Sequence, residues 1–271
     1  MITTESITDT LNHWFPLSYA EPWDPVGVSI TGNQTTIHSL MTCLTLTSEV
    51  VDEAIALKVP WIITHHPFPF HPIKRFHSTP EAYILKQLIS HQIYVYSPHT
   101  AYDNAPSGIN DQILKHIFHT TTTHSLREKS GKYAHLKKPL SLAEITRKAK
   151  ELFGCKYLKV SIANDTNNLQ SSLDHKALSS ITSQRPAAVC GSGSAFIEDL
   201  ISQHCDLLIC GELKYHECLK LKTHHCHIIL CGHFFSEKFA MNTLATRIKK
   251  HFPSLTVHSS QHDISPTTII E

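Results

Sequence analysis

The chain has 271 residues, which suffices for one or two domains with a substantial core. Hydrophobic residues make up 41% and charged residues 17%, a mixture typical of a globular protein. The formal net charge is +1, from 24 basic and 23 acidic side chains without a long Lys/Arg stripe, which argues against electrostatic binding of nucleic acid. No apolar run is long enough to span a bilayer, so a membrane-embedded protein is also excluded.

The chain contains eight cysteines and 22 histidines. The cysteines form no C-x-x-C pair, which argues against a zinc ribbon, and most lie inside apolar runs, where a reduced cysteine acts as a small hydrophobic residue. Residues 1–18 lack the features of a secretory signal. We therefore expect a soluble, cytoplasmic protein. The many histidines favour a metal site, but they also form some pairs by chance.

A βαβ unit is predicted over residues 38–63. Residues 38–46 have strand character, Thr47 or Ser48 can cap a helix, and residues 59–63 have the β-branched content of a buried strand. This spacing indicates two parallel strands with a right-handed crossover. Before this unit we expect a helix over residues 6–17, and a Pro/Gly-punctuated turn in which Trp23 is packed.

His65 and His66 directly follow the second strand of this unit. Neighbouring side chains of a regular strand point to opposite faces, so the pair can converge only if it lies beyond the strand. Pro67 favours such a turn. Open α/β sheets bind ligands just past the carboxyl ends of their strands, so the two imidazoles are candidate ligands of one metal ion or of a close pair. The alternative is a pair of surface histidines.

The next predicted strand, residues 93–96, ends in a polar loop that contains Asp103, which could face the His65–His66 loop. Gly108 then opens a helix. Residues 119–135 have the composition of a linker or a sheet edge. Ser141 matches a capping box before a helix, which is followed by a predicted strand at residues 157–162 and a long polar loop at residues 164–185. This organisation predicts an N-terminal α/β lobe over residues 1–124, a short middle segment over 125–185 and a C-terminal α/β part over 186–271.

The C-terminal part repeats the pattern of strands that end in polar residues. The G-S-G-S sequence at residues 191–194 is first a tight turn and second a candidate anion cradle, because it lacks the spacing of a P-loop. Strands are predicted at residues 206–212 and 227–231. His233 and Glu237 follow, four residues apart; they share a helical face if both are helical, or flank a helix start at Ser236. Either geometry lets both reach one point.

Strand-end segments in both halves of the chain thus deliver metal-ligand residue types. Imidazole and carboxylate ligands suit Zn, Mn or Fe(II) better than a structural cysteine-type zinc. Five ligands exceed a tetrahedral site and fit a dinuclear site with a bridging carboxylate, in which two ions about 3.5–4 Å apart would provide a bound hydroxide and polarise a substrate oxygen. These candidate metal ligands are His65, His66, Asp103, His233 and Glu237.

In these motifs the chain resembles the NIF-three-like family, whose members are named GTP cyclohydrolase 1 type 2 homologues. The resemblance covers nearly the whole length and rests on W-D-P-V-G at residues 23–27, I-T-H-H-P at 63–67, H-T-A-Y-D at 99–103, the segment 206–216 and G-H-x-x-x-E at 232–237. It implies two related α/β lobes, with mixed sheets flanked by helices, that face across a dinuclear metal cleft. It also implies a toroidal homohexamer built from dimers.

The resemblance places the family's metal ligands on the same five residues, with Glu237 as the bridge. His99 and His216 become candidate pocket-lining residues or proton carriers; for each, the alternative is a polar loop residue. Three positions depart from the family pattern: Thr45 stands in place of an Asp, and Pro25 and Ala101 stand in place of Asn. A carboxylate at position 45 that could orient a histidine is therefore missing.

Two functions remain open from the sequence. The first is a metal-dependent hydrolase that opens the purine ring of GTP by attack of metal-bound hydroxide, as the family name implies, or that cleaves a phosphoester at the same site. The second is a non-catalytic metal-binding or partner-binding oligomeric scaffold. No residue is recognisable as one that would bind the guanine base specifically, so the assignment of the substrate rests on the resemblance alone.

Overall fold

The computed structural model describes residues 2–75, 77–163 and 175–268 and is a mixed α/β protein with sheets flanked by helices, as predicted. Its described strands are β1 Ile2–Thr3, β2 Gly27–Ile30, β3 Thr36–Ile37, β4 Ser39–Cys43, β5 Trp61–Thr64, β6 Tyr94–Ser97, β7 His124–Arg127, β8 Ser130–Tyr133, β9 Leu140–Ser141, β10 Lys159–Ser161, β11 Thr182–Ser183, β12 Pro186–Ser192, β13 Leu207–Glu212, β14 His227–Leu230 and β15 Thr256–Ser259. Its described α-helices are α1 Thr4–Trp14, α2 Ser48–Ala56, α3 Pro80–Ser90, α4 His99–Asn104, α5 Ile109–Phe118, α6 Leu142–Phe153, α7 His175–Ser180, α8 Ile197–Ser202, α9 Tyr215–Thr223 and α10 His233–His251. None of these helices combines the length and the apolar character that a bilayer span requires.

The chain divides into two compact units, a first unit of residues 1–105 and 240–271 and a second unit of residues 106–239. These units differ from the predicted segments 1–124, 125–185 and 186–271. Residues 240–271 belong to the first unit because β15 pairs in parallel with β4. The middle segment is not separate either, since β7, β8 and β10 join the same sheet as β12–β14. Local sequence patterns cannot reveal such long-range strand pairing.

The first unit contains a five-stranded sheet in the order β15-β4-β5-β6-β2, in which only β2 runs antiparallel to its neighbour. All four residues of β5 are buried, as expected for a central parallel strand covered on both faces. Helix α2 is capped by Thr47, whose hydroxyl accepts a hydrogen bond from the Val50 N–H, and its Val50 and Val51 are fully buried. The predicted βαβ unit is therefore confirmed.

The second unit contains a six-stranded sheet in the order β10-β14-β13-β12-β8-β7, with parallel β12, β13 and β14 at its centre. One half of the predicted capping box is present: the Ser141 hydroxyl accepts a hydrogen bond from the Glu144 N–H, and α6 is followed by Gly154 in the left-handed conformation. Residues 119–135, predicted as a linker or sheet edge, include the edge hairpin β7–β8. Within the predicted loop 164–185, residues 164–174 lie outside the described residues, whereas α7 and β11 lie inside it.

The cysteines behave as predicted. None of the eight, all of which lie in the described part of the chain, forms a disulfide bond, and all except Cys218 are buried. Burial raises the pKa of the Cys205 thiol to about 12, so this side chain is an uncharged, unreactive thiol at neutral pH.

Candidate metal centre

In the first unit, the backbone pairing of β4 with β5 continues past the ends of both strands. The His65 N–H donates to the Cys43 carbonyl (3.1 Å) and the His66 N–H to the Leu44 carbonyl (2.9 Å). The Thr64 hydroxyl also bonds to the Leu44 carbonyl, at 3.2 Å. His65 and His66 therefore leave the sheet at the carboxyl end of β5, as the sequence predicts, in a backbone held by the neighbouring strand.

Three histidines of this unit form a cluster. One ring nitrogen of each of His65, His66 and His99 lies within 4.8 Å of the others, an arrangement that could hold a metal ion. The His65 ring is fully buried, and its Nε2 lies 3.4 Å from Oδ1 of Asp103. His99 and Asp103 are one turn apart on α4, so Asp103 belongs to a short helix and not to the predicted loop. Six residues are too few to give a helical period in the sequence.

Two of these rings are anchored through Nδ1. Thr45 Oγ1 lies 2.7 Å from Nδ1 of His66, and Oδ2 of the buried Asp24 lies 2.8 Å from Nδ1 of His99. The Asp24 carboxylate also accepts hydrogen bonds from the N–H and the hydroxyl of Thr100. A ring that is held at Nδ1 presents Nε2 for ligation, which is the usual arrangement around metal-binding histidines.

In the second unit, α10 begins at His233, so the first of the two predicted geometries is correct and His233 and Glu237 share one helical face. His233 Nε2 lies 3.3 Å from Oε1 of Glu237, and His233 Nδ1 lies 3.1 Å from Oε1 of Glu212. The hydrogen bond to Glu237, strengthened by the charges of both carboxylates, outweighs burial and raises the pKa of His233 to about 9. A metal ion bound to this ring must therefore displace a proton.

Gly191 lets the end of β12 approach this pair. A Cβ atom at Gly191 would lie 2.5 Å from Oε1 of Glu237 and 3.3 Å from Nε2 of His233, and the residue has φ +61°. The Gly191 N–H donates to the Ser236 hydroxyl, which donates to the His233 carbonyl. The G-S-G-S sequence, predicted as a tight turn or an anion cradle, thus starts with a glycine that makes room for a histidine–carboxylate pair.

The structure places the predicted ligands in two sets: His65, His66 and Asp103 in the first unit, beside His99, and His233 and Glu237 in the second. His216 is exposed on α9, and its assignment as a proton carrier remains a prediction. The anchoring roles of Asp24, Thr45 and Glu212 were not predicted from the sequence. The only available signal was their position at the end of a strand or in a turn next to a histidine.

The donor atoms of both sets fit a divalent metal ion. Imidazole nitrogens and carboxylate oxygens are ligands of Zn, Mn and Fe(II). Metal-binding histidines usually also contact an oxygen atom through their other ring nitrogen, and His66, His99 and His233 each have such a contact. The His65 ring and the Glu237 carboxylate are also buried, which is costly for polar groups unless they are paired or ligate a metal.

Residues 2–266 match the family described as Duf34/NIF3 (NGG1p interacting factor 3). The chain belongs to this family. It is 29% identical to the protein NIF3 homolog of Schizosaccharomyces pombe, over 92% of this chain and 91% of that protein. It is 26% identical to the GTP cyclohydrolase 1 type 2 homolog of Clostridium acetobutylicum, over 98% of each chain. The fold is similar to the crystal structure of Staphylococcus aureus hypothetical protein SA1388, with a TM-score of 0.82 and 22% identity over 99% of each chain.

We predict that Gly191→Ala weakens metal binding about tenfold or more, because the added methyl group must displace the Glu237 carboxylate. Gly154→Ala is the matched control: Gly154 also has a positive φ, of +63°, but a Cβ there meets nothing within 4 Å. Both variants should lose about 1–2 kcal/mol of stability through backbone strain. Metal affinity measured with a competing chelator separates them, and equal affinities would refute the proposed role of Gly191.

We also predict that Thr45→Val lowers metal affinity by about 10–100-fold, the range for loss of a group that orients a ligand. Valine keeps the shape of threonine but removes the oxygen 2.7 Å from His66 Nδ1. Thr45→Ser keeps that oxygen and should bind metal nearly as tightly as the wild type. If Thr45→Val binds metal like Thr45→Ser, the hydroxyl does not orient His66.

Proposed function

We propose that the protein binds two divalent metal ions through His65, His66, Asp103, His233 and Glu237 and uses them to hydrolyse a nucleotide. The observation that carries the proposal is the shared design of the candidate ligands: His66 and His233 are each held at Nδ1 by an oxygen atom, and His65 and Glu237 are buried. Zn, Fe and Mn all suit these donors. We assign Glu237 as the bridging carboxylate.

Bound divalent ions activate water and polarise the electrophilic centre of the substrate. The chain itself contributes the proton carrier. His99 is the best candidate because Asp24, whose side chain is fully buried, lies 2.8 Å from its Nδ1 and directs Nε2 away from this contact. In this role Asp24 would orient the imidazole. His216 is the second candidate, although it is exposed.

The names of relatives support a nucleotide as the substrate. The matching proteins of Clostridium acetobutylicum and Clostridium perfringens are named GTP cyclohydrolase 1 type 2 homologs. We infer that this chain hydrolyses the purine ring of a nucleotide in two steps: one water adds to C8 and the C8–N9 bond breaks to leave a formamide, and a second water hydrolyses this formamide and releases formate. Phosphoester hydrolysis is the alternative at the same site, since it needs the same activated water.

A non-catalytic role is the second candidate. The family is described as an interacting factor, and the relatives of Schizosaccharomyces pombe and Saccharomyces cerevisiae carry names of this type. In that case the metal ions would stabilise a scaffold that binds a partner protein. For either function we expect a homo-oligomer, namely a toroidal homohexamer built from dimers.

Metal analysis combined with a formate-release assay tests the proposal. We expect about two divalent ions per wild-type chain and release of formate from GTP. Glu237→Gln should lose about one ion or more and all formate release, because the neutral amide is a poor metal ligand. Glu151→Gln, at an exposed surface ion pair with Arg147, is the matched control and should match the wild type.

Two results would contradict this account. A wild-type chain that binds no metal ion would exclude the proposed centre. A chain with two tightly bound ions that hydrolyses neither GTP nor simple phosphoesters would exclude the hydrolase and favour the scaffold.

A further inference from the structure

Two large apolar rings of the first unit are exposed beside the histidine cluster. Trp23 is 61% exposed and Phe70 is 44% exposed, so the prediction that Trp23 is packed in a turn is wrong. The centroids of the two rings are 6.1 Å apart, and each lies close to His99, at 6.1 Å for Trp23 and 6.2 Å for Phe70. His99 in turn is 5.2 Å from His65 and 5.7 Å from His66 by ring centroids. The exposed rings therefore adjoin the candidate metal ligands.

The backbone that carries Trp23 is held in place on both sides. The Asp24 N–H donates to the Glu21 carbonyl, and the Val26 N–H donates to the Asp24 carbonyl. The Glu21 N–H also donates to the Thr100 hydroxyl, and the Asp24 carboxylate accepts from Thr100. Because these bonds join the Trp23 turn to the helix that carries His99, the indole is presented by a structured turn beside that histidine.

Phe70 also lines a cavity of about 500 Å³ in the same unit. Its apolar wall begins at Pro67, immediately after His66, and consists mainly of Leu46, Pro67, Phe68, Phe70, Ile73 and Ile84. This volume lies within the range of small-molecule sites, which are concave and mostly apolar with a few polar groups at one side. Phe70 therefore connects the histidine cluster to a space large enough for the organic part of a substrate.

We propose that Trp23 and Phe70 form a stacking subsite for the planar base of a purine nucleotide whose reacting atoms lie at the histidine cluster. Every nucleobase has a π-face, and stacking on exposed aromatic side chains is the usual way proteins hold a base without reading its edges. This accords with the lack of a recognisable guanine-reading residue. A stable protein–protein interface buries roughly 800 Å² on each partner. Two exposed aromatic side chains provide much less area than this, so a small ligand fits the site better than a protein partner.

The choice of a nucleotide rests on the proposed function, but the stacking can be measured without catalysis. Trp23 is the most exposed of the three tryptophans, whereas Trp61 is fully buried. Guanosine and GTP should therefore quench tryptophan fluorescence of the full-length, metal-loaded protein in a saturable way. Ribose 5-phosphate, which has no base, should not. Absence of saturable quenching by guanosine and GTP would overturn the proposal.

Variants then assign the signal. Trp23→Phe should keep the affinity for guanosine, measured by calorimetry, but lose most of the quenching. Trp23→Ala and Phe70→Ala should each raise the dissociation constant about tenfold or more, while Phe70→Tyr retains the ring and the affinity. Metal content should equal that of the wild type in all four. Unchanged guanosine affinity in both alanine variants would overturn the subsite.

The two proposals fail separately. Base binding that depends on Trp23, in a metal-loaded protein that hydrolyses neither GTP nor simple phosphoesters, would leave the subsite intact and refute the hydrolase. Formate release with an unchanged KM for GTP in Trp23→Ala would support the hydrolase and refute the subsite.

Discussion

An oxygen atom serves as an anchor at Nδ1 of three histidine rings in this protein: Thr45 lies 2.7 Å from His66, Asp24 lies 2.8 Å from His99 and Glu212 lies 3.1 Å from His233. An unanchored imidazole can rotate about two side-chain bonds, whereas metal ligation requires nitrogen–metal distances of about 2 Å. The anchors therefore matter as much as the ligands. Parallel strand pairing supplies two of them, because Thr45 follows β4 beside β5, and Glu212 ends β13 beside β14.

The two units use this design with different anchors. In the second unit Glu237, and to a smaller extent the anchoring carboxylate of Glu212, raise the pKa of His233 to about 9. His66 has a neutral hydroxyl at the corresponding nitrogen. A carboxylate partner increases the basicity of a histidine ligand, and a hydroxyl does so less. Threonine in place of the family's aspartate at position 45 therefore removes a negative charge but keeps an oxygen atom beside Nδ1 of His66. The orientation of His66 does not require that aspartate.

The sequence predicted the strands and the residues that follow them because both leave local signals. Apolar runs ended by Pro67 and Gly232 locate His65, His66 and His233 correctly. The side chains that anchor the histidines leave no comparable signal. In the sequence Thr45 is recognisable only as a neutral residue in place of an aspartate, and Asp24 only as part of a turn. The exposure of Trp23 and the return of β15 to the first sheet depend on residues far away in the chain. Membership of the Duf34/NIF3 family is, by contrast, visible in ordered motifs along the whole chain.

Anomalous diffraction from crystals of the metal-loaded protein, collected at the absorption edge of the bound metal, tests the central claim most directly. The account predicts two peaks about 3.5–4 Å apart, bonded to His65, His66, Asp103, His233 and Glu237, with Glu237 touching both. A single peak, or peaks bonded to histidines outside this set, would contradict it.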